Sequence, residues 1–259
     1  MSSTLISFGG KVLGLSGGGL IGFPHREPLP WNSFTDIGDV YDSLLPGEKV
    51  AFVIRHSERE ESGDRNLTQA GIQYARDTGA KLVAGIAGTS DVALYSSPVQ
   101  RCVDTATYIG EGSGRTLQSP TILSGLEGCP YEDTKPSEGW EDYSLFAYDL
   151  PSIHGGTFHA KSTITPQILS LVQNNMTNAL NIFVTHDQLL EIFVVDMCNQ
   201  EISLKFWSGA VNDGINEERW ITYLAGLAII RHTDGTYEWG PVKSLSRGYQ
   251  TSYSNIYVP

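Results

Sequence analysis

The chain has 259 residues, with 17 basic side chains against 29 acidic ones and a formal charge of −12. Apolar residues make up 40% of it, enough for a full-sized core, which excludes a disordered chain. The acidic balance argues against nucleic acid and against anionic membranes, both of which are held by clustered Lys and Arg. The length suits one large α/β domain or two small ones. Cys102, Cys129 and Cys198 form no CxxC pair, so neither a zinc knuckle, a redox dithiol nor a disulfide framework is expected. The N-terminal residues lack a basic stretch before an apolar one, and no apolar run reaches membrane-spanning length. The expected compartment is the cytoplasm.

Residues 1–30 are rich in glycine and read as a β-hairpin arm, a candidate for pairing with a second copy of the chain. Gly17, Gly19 and Gly22 spell a dinucleotide-type GxGxxG, but Pro24, Pro28 and Pro30 forbid the helix that such a site needs. No cofactor is expected. From residue 49 the pattern becomes regular. Lys49 to Ile54 is a continuous apolar run, as in a strand buried on both faces. Thr68 reads as an N-cap, and Ile72, Ala75, Gly79, Leu82, Val83 and Ile86 follow as one helical face. Val92 to Tyr95 is the next strand, and Ser97-Pro98 reads as a cap opening a helix to about Ile109.

Residues 111–162 are mixed and loop-like, and read as an inserted cap on a catalytic domain spanning 31–259. Thr165-Pro166 opens a helix to about Gln173, and Leu180 to Val184 is a third buried strand. A helix through Leu189, Ile192, Phe193 and Met197 follows. Ile221–Arg231 and Tyr237–Val242 read as a hairpin around Thr233-Asp234-Gly235. The alternation predicts a three-layer α/β/α sandwich with a mainly parallel sheet and a C-terminal β-hairpin.

Three segments leave the carboxyl ends of the three apolar strands: Arg55-His56-Ser57-Glu58-Arg59, Ser96 to Arg101, and Thr185-His186-Asp187. In an open α/β sheet, ligands bind in the crevice beyond those ends. Arginine forks match phosphate oxygens. A histidine can be a nucleophile, and a carboxylic acid can protonate a departing alkoxide and then activate water. Guanidinium groups and a protonated second histidine would stabilise the charge on the transferring group without a metal. The set is complete for phosphomonoester hydrolysis.

Arg55-His56, Leu67-Thr68-Gln69-Ala70-Gly71, Ser96 to Arg101 with Thr105-Ala106, and Thr185-His186-Asp187 resemble the histidine phosphatase superfamily over about residues 49–235. The resemblance implies that His56 is the phosphorylated nucleophile and that Arg55, Arg59, Arg101 and His186 hold the phosphate. Arg59 and Asp187 match the acid-phosphatase branch, in which that aspartate is the proton donor. The chain's size and short insert are closer to the phosphoglycerate-mutase-like branch, whose donor is a glutamate of the insert, here Glu127. Asp187 is favoured because it belongs to a motif. Ser57 stands where the family has glycine.

The expected ligand is a small phosphorylated metabolite. A phosphoglycerate-mutase-like transferase, and a catalytically weak binding or assembly module, are the alternatives. His154 and His159 read as cap residues rather than metal ligands, His232 as exposed, and Cys102 as core. Glu58 reads as a solvated loop charge, and Trp140, Tyr131 and Tyr143 as either a substrate wall or cap packing.

Overall fold

The strand over Lys49–Arg55 shows why the sheet forms where it does. Its alternate residues enter two different cores: Ala51 and Val53 face one layer, Val50, Phe52 and Ile54 the other. A strand with helices on both faces has no polar side, hence the unbroken apolar run. The computed structural model describes residues 27–83, 92–114, 119–204 and 219–250. The glycine-rich arm lies outside them apart from its last four residues, as do Ile86 and the GxGxxG glycines.

In chain order the strands are β1 (Thr35–Asp36), β2 (Lys49–Arg55), β3 (Val92–Ser96), β4 (Thr121–Ile122), β5 (Glu132–Thr134), β6 (Thr157–Phe158), β7 (Leu180–Thr185), β8 (Trp220–Ile221), β9 (Ala225–Arg231), β10 (Tyr237–Lys243) and β11 (Tyr249–Gln250). The helices are α1 (Ile37–Asp42), α2 (Gln69–Ala80), α3 (Gln100–Gly112), α4 (Glu141–Ala147), α5 (Lys161–Asn175) and α6 (Asp187–Met197). The main sheet runs β1-β10-β9-β2-β7-β3-β4. Strands β2, β7, β3 and β4 are parallel neighbours, and the β9–β10 hairpin joins antiparallel to β2. Residues of α1, α2 and α3 pack in the core on one face of this sheet, and those of α4, α5 and α6 in the core on the other. This is the three-layer α/β fold expected, with its C-terminal hairpin.

Two close approaches explain glycines. A Cβ on Gly79 of α2 would lie 2.0 Å from the Ile109 carbonyl oxygen of α3, and one on Gly112 would lie 2.0 Å from that of Arg76. The α2–α3 crossing therefore rests on backbone-to-backbone contact. Helix α6 is apolar almost all round, with nine of its 11 residues buried, because it lies beneath α4 and α5.

Several boundaries differ from expectation. Helix α2 is capped by Thr68, whose Oγ1 accepts from the Gly71 amide, but it ends at Ala80 and leaves Val83 55% exposed. Helix α3 begins at Gln100 behind Val99 and runs on to Gly112. Helix α5 begins at Lys161, not at Thr165. Pro166, the sixth residue of the helix, lies past the amides that lack a helical partner and removes the ladder bond to the Ser162 carbonyl. The hairpin's first strand starts only at Ala225, because Leu224 turns the chain with φ +56°. Ile221 instead pairs with Tyr249 in the separate β8–β11 sheet. The segment read as a cap holds the β5–β6 pair and α4, and it overlaps the end of α3 and the start of α5. No helix among the described residues is long and apolar enough to cross a membrane.

Candidate active site

Register brings the three motifs together. Arg55 lies opposite Thr185 on β7, and Ser96 of β3 lies opposite Val184, so three adjacent parallel strands end at one level. The backbone continues the pairing: the His56 amide donates to Thr185 O at 2.9 Å and the Ser97 amide to Val184 O at 3.0 Å. Residues more than a hundred positions apart in sequence thereby share one crevice.

His56 is 1% exposed. Its Nδ1 lies 2.8 Å from Ser57 O, and a carbonyl only accepts, so Nδ1 carries the proton. The other ring nitrogen, Nε2, then presents a lone pair, and Arg101 Nε donates to it at 3.1 Å. Burial first, then the charge of Arg55, lowers the imidazole's proton affinity well below the ordinary histidine value. The resting group is a neutral imidazole with its tautomer fixed.

His186 sits edge-on to His56, with ring centroids 5.5 Å apart. Arg101 Nη2 lies 3.1 Å from its Nδ1, and guanidinium only donates, so Nδ1 accepts and Nε2 carries the proton toward Ser97 Oγ at 3.0 Å. Burial and Arg101 lower its pKa to about 4. The protonated second histidine expected from sequence is therefore neutral at rest. Its hydrogen-bonding site on Arg101 and its burial both oppose a second proton.

Asp187 opens α6 as its first residue, and its Oδ2 meets Arg55 Nη2 at 2.7 Å. The Trp220 indole N–H donates to the same oxygen at 3.2 Å. Burial alone would raise this carboxyl's pKa, but Arg55 above all, helped by the indole N–H, outweighs it and holds it well below the usual carboxylate range. Arg55 is itself fixed: Nη1 donates to Ile221 O at 2.7 Å, and the Tyr223 ring lies 4.2 Å beneath its guanidinium.

Arg59 sits apart from this buried group. It is half-buried, and its Nη1 donates to Glu60 O at 2.8 Å, although its charge is felt at Arg101 and His186. Glu127 is exposed on the loop after a short 3-10 helix, and that loop is tied to the end of β7 by the Thr185 Oγ1 bond to Leu126 O. Ser57, in the family's glycine position, points away from the pocket. Its Oγ donates to Gly71 O at 2.7 Å, and its amide donates to Thr105 Oγ1 at 3.0 Å.

The other sequence candidates are accounted for structurally. Glu58 is not a free loop charge, because its Oε1 accepts from Thr68 Oγ1 at 2.6 Å. His232 is wedged between Glu48 and Glu238 at 2.6 and 3.4 Å rather than exposed. His154 and His159 face Asp142 and Asp133. Among the described residues no group of three or more His, Cys, Asp or Glu is placed to hold a metal ion. Trp140 packs against Trp220, with centroids 6.5 Å apart, one ring removed from Asp187. All three cysteines are buried and free, and Cys102 Sγ touches His186 Nε2 at 3.5 Å. Sequence reasoning missed Ser97 as a partner of His186, and it missed Trp220, Tyr223 and Glu191 altogether. Only Glu191, an acid inside an apolar helix, carried a local signal.

A sequence model described as histidine phosphatase superfamily (branch 1) matches residues 51–212, more than half of the chain. The chain belongs to the histidine phosphatase superfamily. Among solved structures, "Mycobacterial hydrolase 2" is 14% identical at a TM-score of 0.48, covering 81% of this chain and 95% of its own. Mycobacterial glucosyl-3-phosphoglycerate phosphatase with inorganic phosphate is 15% identical at 0.45, covering 77% and 97%. A phosphoglycerate mutase from Bacillus anthracis is 14% identical at 0.44, covering 76% and 93%. No curated protein matches the chain. As in any histidine phosphatase superfamily member, the reading of the reaction has to come from the site itself.

Proposed function

We propose that this protein hydrolyses phosphomonoesters of small metabolites through a phosphohistidine formed at His56. The observation that carries the reading is the pinned tautomer: Nδ1 is bound to Ser57 O, and the Nε2 lone pair faces Arg101. Nε2 attacks phosphorus in line as the bond to the ester oxygen breaks. Arg55 and Arg101 are the fixed donors for the transferring oxygens, where such donors lower the barrier most; Arg59 joins them on leaving Glu60 O, and His186 on gaining a proton beside the phosphate. Asp187 supplies the proton to the departing alkoxide. A phosphate dianion arriving beside it draws on the charge of Arg55 and so restores the carboxyl's affinity for a proton. Asp187 then takes a proton from water, which attacks the phosphohistidine and releases inorganic phosphate with His56 regenerated.

The test is release of inorganic phosphate from a panel of sugar, nucleotide and aryl phosphates by the wild-type protein and His56→Ala. We expect turnover on at least one class, a trapped acid-labile phosphoprotein in the wild type, and neither in the variant. Undiminished turnover in His56→Ala overturns the mechanism. Transfer between hydroxyls of an acceptor outrunning phosphate release would instead favour a mutase-type transferase. A cytoplasmic location and a small phosphate ester as the ligand go with this reading.

A further inference from the structure

Helix α6 buries one acid that the reaction above does not use. Glu191 lies four residues after Asp187, hence on the same face of the helix, and it is 0% exposed. Its Oε1 accepts from Ser144 Oγ of α4 at 3.1 Å, and the Ile221 backbone of β8 lies beside the carboxyl. Ile221 is also the residue whose carbonyl seats Arg55 Nη1. The backbone of Ile221 thus lies between the two, its C=O bonded to Arg55 and its N–H side beside Glu191. Oε2 has no hydrogen-bond partner among the described residues, and neither does Arg55 Nε.

We propose that Glu191 is a positioning residue of the phosphate pocket, held there as an uncharged acid that braces the seat of Arg55 and leaves the charge of Arg55 and Arg101 to the phosphate. The inference rests on the reading of this crevice as a phosphate site. Its physical basis is a charge balance. Arg55 already carries the Asp187 carboxylate at 2.7 Å. A second buried carboxylate with one oxygen unpaired would have no cation to itself, and such a group keeps its proton instead. Burial pushes the Glu191 carboxyl well above its ordinary value, outweighing the pull of the Ser144 hydroxyl, and Asp187 adds to it against the lesser pulls of Ile221 and Arg55. Were it ionised, the pocket would hold an extra negative charge when a phosphate dianion arrives.

The groups facing Glu191 are Asp187 on its own helix, Ser144 from α4, the Ile221 backbone from β8 and Arg55 from β2. Nearby, His56 and His186 are already neutral, and burial pushes the Cys102 thiol up to about 12. The ligand's own second ionisation, with its midpoint at roughly pH 6–7, adds negative charge as pH rises and so works in the opposite direction. Loss of phosphate affinity on the alkaline side therefore reports the proton on Glu191.

The experiment is calorimetric titration of inorganic phosphate into the wild-type protein, Glu191→Gln and Glu191→Ala, from neutral to alkaline pH. The wild type should lose affinity by about tenfold or more across that range as the acid ionises. Glu191→Ala should bind about tenfold more weakly than the wild type at neutral pH, Ser144 having lost its acceptor and the Ile221 backbone its neighbour. Glu191→Gln, the uncharged isostere, should restore most of that neutral-pH binding and remove the alkaline decline. A Glu191→Gln variant that binds as weakly as Glu191→Ala, or that keeps the wild-type pH profile, overturns the inference, and so does a wild type that binds no phosphate. If Glu191→Ala does not fold, the profile of Glu191→Gln decides alone. Turnover of aryl phosphate, measured alongside, separates the two readings. Phosphate binding with this pH profile but without turnover leaves Glu191 in place and removes the hydrolase.

Discussion

Arg101 holds His56 at the nitrogen that would be phosphorylated: its Nε donates to His56 Nε2 at 3.1 Å while its Nη2 reaches His186 Nδ1 at the same distance. One guanidinium therefore sets the spacing of both imidazoles. The guanidinium N–H groups, not the two acceptor nitrogens, are what a phosphate oxygen would accept from. Arg101→Ala removes both bonds and a fixed positive charge, and kcat on the best substrate should fall by about 10²–10³-fold. Arg101→Lys keeps the charge but not the fork, so it should recover only a small part of the loss. Full recovery by lysine would mean that charge alone matters there.

The proton donor can be assigned by leaving group. Asp187→Asn cannot protonate an alkoxide, so hydrolysis of alkyl phosphates should slow by about 10²–10⁴-fold, with a much smaller effect on an activated aryl phosphate. Glu127→Gln should leave that ratio unchanged. The opposite pattern would move the role to the exposed Glu127 loop.

Stability should fall on mild acidification. His186 is neutral in the fold down to about 4, whereas an unperturbed histidine takes its proton near 6.5. Between those values the unfolded chain binds more protons than the native one, so stability rises with pH through the window and is lost as pH falls through it. The span corresponds to about 3 kcal/mol for this residue, and buried His56 acts in the same direction. Asp187 adds a further loss only below the ordinary carboxylate range, because its folded proton affinity is depressed. Thermal unfolding followed from pH 7 to pH 4 should show the decline, and His186→Asn should flatten it.

The α2–α3 crossing predicts intolerance of the smallest side-chain addition. Gly79→Ala places a methyl carbon 2.0 Å from the Ile109 carbonyl oxygen, and the helices must part to admit it. A loss of about 1–3 kcal/mol in denaturant unfolding is expected, from overpacking against backbone that cannot rotate away. Alanine at Gly114, where nothing lies within 4 Å, should cost less, its φ of +66° being the remaining penalty.

Ser97→Ala tests a contact at a residue that the sequence reads as a helix cap. It leaves the His186 Nε2 proton without its hydroxyl acceptor in a buried site, a loss of about 1–3 kcal/mol. Weaker phosphate binding with an unchanged fold is the expected outcome, read by titration beside circular dichroism.

What the sequence determined by itself was whatever repeats locally. The apolar runs of β2, β3 and β7, the Thr68 cap and the order of strands and helices follow from side-chain period and backbone capping, which need no distant partner. The motif residues at the strand ends were legible for the same reason: parallel strands in register bring their carboxyl ends to one level. Partner choice was not legible. Whether Arg59 turns inward or to Glu60, whether Ser97 caps a helix or meets His186, and whether Asp187 and Glu191 share one cation depend on groups up to 166 positions away, as in the Arg55 bond to Ile221. Composition suggested an acidic protein without the clustered basic surface that nucleic acid or an anionic membrane needs. Only the tertiary structure packed Arg55 against Tyr223 and aimed Arg101 at two neutral histidines, and a positive charge counts for more in a closed crevice than many negative ones do on a solvated surface.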